Sequence, residues 1–164
     1  MKLFPPAALL LAGLAACATT RAAAPTGPSY YVMRHLQKAE GADPGLSEEG
    51  RANAELLAGW FGEDRPSAIY VSATRRAQET AAPVAARLGV TPKVYDPADT
   101  PGLVARVLAE TGTVLVIGHT NTVPEIVERL GGVRPPPIPE SEFGAIWHVS
   151  GTPRRTEWRM LGGV

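Results

Sequence analysis

Cysteine is almost missing from this chain. Cys17 is the single one in 164 residues, which excludes a disulfide framework and any zinc site built on paired thiolates. Excess charge of either sign is missing too: 16 Lys and Arg stand against 16 Asp and Glu. Nothing in that balance favours a nucleic acid partner, and any positive field has to be local. No apolar run reaches the roughly 20 residues a bilayer crossing requires, and no internal repeat suggests a solenoid. With 45% hydrophobic and 20% charged residues, the composition excludes disordered and fibrous classes and fits one globular domain.

The N-terminal residues have a character of their own. Met1-Lys2 supplies a minimal positive start, Ala7 to Leu14 is a short apolar core, and Leu14-Ala15-Ala16-Cys17 follows. Residues 1–16 read as an export signal peptide. The tetrapeptide resembles the lipobox of bacterial lipoproteins, which would place a lipid on Cys17 as the mature N-terminus; the competing reading is plain secretion with Cys17 removed or idle. Residues 17–28, small, polar and containing Pro and Gly, suit a flexible tether to a domain spanning 29–164. The expected location is periplasmic or envelope-attached, with membrane contact through the lipid anchor alone.

Beyond the tether, apolar runs and helical patterns alternate. Tyr30-Tyr31-Val32-Met33, Ala68-Ile69-Tyr70-Val71 and Val114-Leu115-Val116-Ile117 read as buried strands, with Val94-Tyr95 a weaker one. Ser47 caps a helix whose first turn carries Glu48 and Glu49 and whose stripe runs through Ala52, Leu56, Leu57, Trp60 and Phe61. A second helix follows Thr74 and ends at Gly89, with a kink expected at Pro83. A third starts at Thr100-Pro101 and a fourth spans Pro124 to Leu130. Arg134 to Pro139 is too proline-rich for either element and becomes an extended loop. Ala145 to Val149 and Thr156 to Met160, joined by a Gly151-Thr152-Pro153 turn, form a closing hairpin. The expected fold is a three-layer α/β/α sandwich, its central sheet mostly parallel with antiparallel closing strands.

Chemistry gathers where those strands end. In a parallel sheet the carboxyl ends of strands line the ligand crevice, and there lie Arg34-His35, Gly118-His119-Thr120 and Ser72 through Arg76. Arg suits phosphate oxygens, and a neutral His can attack phosphorus or move a proton near neutral pH. Two His and two or three Arg at three strand ends point to a phosphate site. Arg75 is expected to face solvent, and His148 to be structural. A metal site on His35 and His119 lacks the spacing of known zinc motifs, and Arg34 would repel a cation.

These residues resemble the histidine phosphatase superfamily, with its phosphoglycerate-mutase-like fold. The likeness covers about Ser29 to Val149. It rests on Arg34-His35, Leu46-Ser47-Glu48-Glu49-Gly50-Arg51, Ser72 through Thr80 with Arg76-Ala77, and Gly118-His119, in that order. It implies that His35 is a nucleophile forming a phosphohistidine that water hydrolyses, and that Arg34, Arg76 and His119 surround the phosphoryl oxygens. No metal or other cofactor is implied for that step. The family commonly takes its proton donor from a carboxyl after the third strand; here Asp99 is favoured over Asp96 by spacing, the alternative being that Asp99 only caps a helix. The usual glycine after Arg-His is Leu36 here, and Lys38 and Thr120 are further candidate phosphate contacts. The expected partner is a small phosphorylated substrate, and the expected activity is hydrolysis of a phosphomonoester or phosphoramide. A non-catalytic module binding phosphorylated ligands is the alternative.

Overall fold

The computed structural model describes residues 27–162. The expected signal peptide, Cys17 and most of the expected tether lie outside the described residues. The elements run β1 (Tyr30–Arg34), α1 (Glu48–Trp60), β2 (Ala68–Ser72), α2 (Arg75–Leu88), β3 (Lys93–Tyr95), α3 (Thr100–Leu108), β4 (Val114–Gly118), α4 (Val123–Arg129), β5 (Ala145–Ser150) and β6 (Arg155–Met160). The strands form one sheet in the order β3-β2-β4-β1-β5-β6. Pairs β2/β3, β2/β4 and β1/β4 are parallel, while β5 runs antiparallel to both β1 and β6.

Alternation along each strand explains the three layers. Tyr31, Met33, Ile69, Val71, Leu115 and Ile117 point to one face, where Leu57 of α1 and Ala77, Ala81 and Val84 of α2 cover them. Tyr30, Val32, Tyr70, Val114 and Val116 point to the other, against Leu103 and Val107 of α3 and Val123, Ile126 and Val127 of α4. With helices on both faces, β1, β2 and β4 are buried throughout, so they read as continuous apolar runs. Among the described residues no helix is long and apolar enough to cross a membrane.

Caps follow the local chemistry. The Ser47 side chain accepts from the Gly50 amide, and Glu48 and Glu49 occupy the positive first turn of α1. Helix α2 continues through Pro83 to a left-handed C-cap at Gly89, where φ is 66°. Thr74 is its N-cap without a capping hydrogen bond, because its hydroxyl meets Ser72 Oγ at 3.0 Å instead.

Candidate active site

The β1/β4 register sets the site. Arg34 stands opposite Gly118, and the His35 amide donates to the Gly118 carbonyl at 3.0 Å. Pairing thus continues one residue past the strand ends and brings the two histidines together, their ring centroids 5.4 Å apart. Around them opens a crevice of about 490 Å³ lined by Arg34, His35, Lys38, Thr74, Arg76 and Pro97, with His119, Thr120, Asn121 and Glu140 completing it.

His35 is 3% exposed, and its ring is fixed by a 2.8 Å hydrogen bond between Nδ1 and the Leu36 carbonyl. A carbonyl can only accept, so Nδ1 carries the proton and Nε2 keeps its lone pair. Burial, followed by the charges of His119, Arg34 and Arg76, lowers the His35 pKa to about 4 against the pull of that hydrogen bond. Burial together with Arg76 and Arg34 lowers His119 to about 4 as well. Both rings are therefore neutral at pH 7.

Leu36 has the side chain that departs most from the resemblance, and it points away from the site. It is fully buried among the residues under α1 and α2, with its amide held by Thr80 Oγ1 at 3.0 Å. The backbone of Leu36 remains the part that serves His35.

Arg34 is equally buried, at 3% exposure, and most of its donors are already engaged. Nη1 donates to the carbonyls of Pro139, Glu140 and Glu142 at 2.9 to 3.1 Å, and Nη2 to the Glu140 carboxylate at 2.9 Å. The Phe143 ring lies 4.1 Å below the guanidinium carbon. The Nε atoms of both Arg34 and Arg76 are buried with no hydrogen-bond partner. Arg76 faces Asp43 at 3.8 Å.

The structure thus gathers Arg34, His35, Lys38, Arg76, His119 and Thr120 around one crevice, but not Asp99. The Asp99 carboxylate accepts from the Gly102 amide at 2.9 Å as the N-cap of α3, and Asp99 does not line the crevice. Asp96 is spent similarly on the Ala98 amide. Sequence reasoning passed over three residues. Ser72 Oγ meets His119 Nε2 at 2.8 Å and sets that ring. Glu140 is the one carboxylate among the described lining residues, and Phe143 supports both Arg34 and His35. A hydroxyl at a strand end signals Ser72; nothing local signals Glu140, which arrives from a loop more than 100 residues later. The turn after β4 also closes on itself, since the His119 amide donates to Thr122 Oγ1 at 2.9 Å and is not directed to a ligand.

Residues 31–98 match the family model described as "Histidine phosphatase superfamily (branch 1)". No curated protein matches the chain in sequence. Among solved structures, the protein histidine phosphatase SixA in complex with tungstate superposes with a TM-score of 0.61 at 22% identity, covering 80% of this chain and 94% of that one. SixA of Agrobacterium tumefaciens, described as a putative phosphohistidine phosphatase, gives 0.58 at 22% identity over 80% and 94%. The mycobacterial glucosyl-3-phosphoglycerate phosphatase gives 0.63 at 16% identity over 80% and 97%. At such identities the superpositions establish the fold, which is phosphoglycerate-mutase-like. The family match runs from β1 through the segment after β3 and includes Arg34, His35 and Arg76.

Proposed function

We propose that the protein hydrolyses a phosphorylated substrate by transfer of the phosphoryl group to Nε2 of His35. The N–P bond forms as the bond from phosphorus to the leaving group breaks, and water then releases phosphate and regenerates the free ring. One observation carries this reading: Nδ1 of His35 is tied to the Leu36 carbonyl inside a crevice lined by Arg34, Arg76, Lys38 and His119. Two buried guanidinium Nε donors without partners are the kind of group a phosphoryl oxygen satisfies. Neither binding alone nor a structural role needs a histidine held with its lone pair free.

Between the two substrate classes, a phosphoramide is favoured over an alkyl phosphomonoester. An alkoxide needs a proton as it leaves, yet Asp99 is engaged as the cap of α3 and Asp96 on the Ala98 amide of the preceding turn, and Glu140 is ion-paired to Arg34. A nitrogen leaving group that takes its proton from solvent has no such need. Structural likeness to a protein histidine phosphatase is consistent with this choice. We further place the enzyme outside the cytoplasm as a lipoprotein anchored through Cys17, on the strength of Leu14-Ala15-Ala16-Cys17. It should then move from membranes to the soluble exported fraction on Cys17→Ser, and an unmodified mature N-terminus beyond Cys17 would refute the anchor.

Labelling with a phosphoramidate followed by rapid quench tests the mechanism. Phosphate should appear on His35 in the native enzyme and be lost in His35→Ala, with turnover falling by at least about 1,000-fold. Full turnover by folded His35→Ala would refute the assignment. On the native enzyme kcat should be far higher for phosphoramidate and p-nitrophenyl phosphate than for alkyl phosphates.

A further inference from the structure

We propose that Glu140 is a specificity-determining residue. Its carboxylate, fixed on Arg34 at the rim of the crevice, selects phosphorylated substrates whose leaving group is cationic over those whose leaving group carries a second anionic group. The inference rests on the phosphatase reading and refines its substrate class.

The lining residues contain three permanent cations, Arg34, Lys38 and Arg76, against the single carboxylate of Glu140. A phosphoryl dianion balances that surplus, so the charge beside the leaving group is set by what remains at the rim. Glu140 is 79% exposed while its partner Arg34 is 3% exposed; the carboxylate therefore stands outward of the guanidinium and is the member of the pair that a leaving group meets.

The pair is also held in place. Arg34 cannot swing away with a ligand, because Nη1 is committed to the carbonyls of Pro139, Glu140 and Glu142 and its plane lies on Phe143. The same three carbonyl contacts fix the backbone that carries Glu140. A carboxylate anchored at both its backbone and one oxygen acts as a fixed local field, and a fixed charge discriminates more sharply than a mobile one. Lys38, also exposed on the rim, provides a positive charge on a flexible stem and offers no comparable anchoring.

A matched pair of ligands reads this out without requiring turnover. Phosphoethanolamine and phosphoglycolate differ at the far end of the same short chain, one ending in ammonium and the other in carboxylate. Their dissociation constants, with that of inorganic phosphate as reference, are to be measured by calorimetry on the native protein and on Glu140→Gln. Glutamine keeps an acceptor for Arg34 Nη2 and removes only the charge. The ratio of the two constants should shift about tenfold towards phosphoglycolate in Glu140→Gln, and inorganic phosphate should bind more tightly. If all three affinities change in parallel, Glu140 only clamps the loop and the proposal fails. If neither protein binds inorganic phosphate, the phosphate site itself is refuted and the proposal falls with it. Binding of phosphate with an unshifted ratio overturns the proposal alone.

Discussion

His35 and His119 lie with ring centroids 5.4 Å apart in a pocket lined with guanidinium groups, so neither can take a proton without meeting cations already there. Both pKa values are lowered to about 4, burial being the largest cause. A nucleophilic His35 must be neutral, so kcat/KM should hold as pH falls through 6.5 and decline only near pH 4, a limb belonging to the pair. The check is a pH profile on p-nitrophenyl phosphate, corrected for the ionisation of the substrate. Arg76→Ala removes one of the cations and should move that limb to higher pH while weakening phosphate binding. Arg34→Ala should do more, because three backbone carbonyls lose their donor; a loss of about 3 kcal/mol in unfolding free energy is expected beyond the lost binding. Thermal unfolding separates the two arginines. Arg34, His35, Arg76 and His119 were legible because each follows a buried apolar run that could only be a strand. Asp99 was left open between general acid and helix cap because both present the same residue at the same spacing, and in the fold its carboxylate caps α3. Only the fold tells which group its carboxylate meets.

At the level of elements, α1 is docked on the loop that leaves the nucleophile. The Gln37 carbonyl accepts from the Ser47 amide at 2.9 Å and from the Ser47 hydroxyl at 3.3 Å, while Lys38 bridges to Leu46. Gly50 makes this approach possible: a Cβ there would lie 2.0 Å from the Gln37 oxygen, against backbone rather than a movable side-chain tip. Gly50→Ala should therefore force α1 and the 36–38 loop apart, costing roughly 1 to 3 kcal/mol of stability. Because Leu36 orients the His35 ring, kcat should fall as well, although Gly50 does not line the crevice. Chemical denaturation and steady-state kinetics on the same preparation check both effects. Unchanged kcat would mean that the loop relaxes without moving His35. The Ser47 to Arg51 stretch was legible as a capped helix start, but its sequence carries no sign that Gly50 serves packing against a segment more than ten residues earlier. Element type came through well where apolar periodicity was strong. Strand β3, three residues long with two exposed, gave the weakest sequence signal. Trp158 is 62% exposed on the outer strand β6, where no further strand among the described residues covers it.

Across the whole molecule, the sheet has a working end and a holding end. The crevice occupies the carboxyl ends of β1, β2 and β4. At the opposite end, where the chain enters β1, the Asp64 carboxylate accepts hydrogen bonds from Tyr31 at 2.6 Å, from Ser29 at 3.1 Å and from Thr113. His148 of β5 meets Ser29 Oγ at 2.5 Å and stacks on Tyr31 with ring centroids 4.3 Å apart. Ser29 and Asp64 both approach Nε2 of His148. A relay that activates a serine uses the two ring nitrogens separately, so this network ties together the start of β1, the loop after α1, the loop before β4 and β5, as the structural reading of His148 expected. Burial alone would raise the Asp64 carboxyl, but the hydroxyls of Thr113, Tyr31 and Ser29 together with His148 hold it below its ordinary value of 3.8. A carboxyl depressed in the folded state contributes stability that is present above its unfolded pKa and is lost as pH falls through the folded one. Asp64→Ala should lower stability at pH 7 by about 2 kcal/mol, or about 4 to 8 °C in Tm for a domain of this size. The deficit should shrink as pH falls below 4, where the carboxyl of the unfolded chain takes up its proton first and the native one follows at lower pH. Kinetics at 25 °C should be nearly unchanged, because the network lies at the far end of the strands from His35. Thermal melts of native and Asp64→Ala protein between pH 3 and 7, with kcat/KM measured on both, decide the matter. A constant difference in Tm across that range would mean the carboxylate charge contributes nothing, and a large fall in kcat/KM would mean that the two ends of the sheet are coupled.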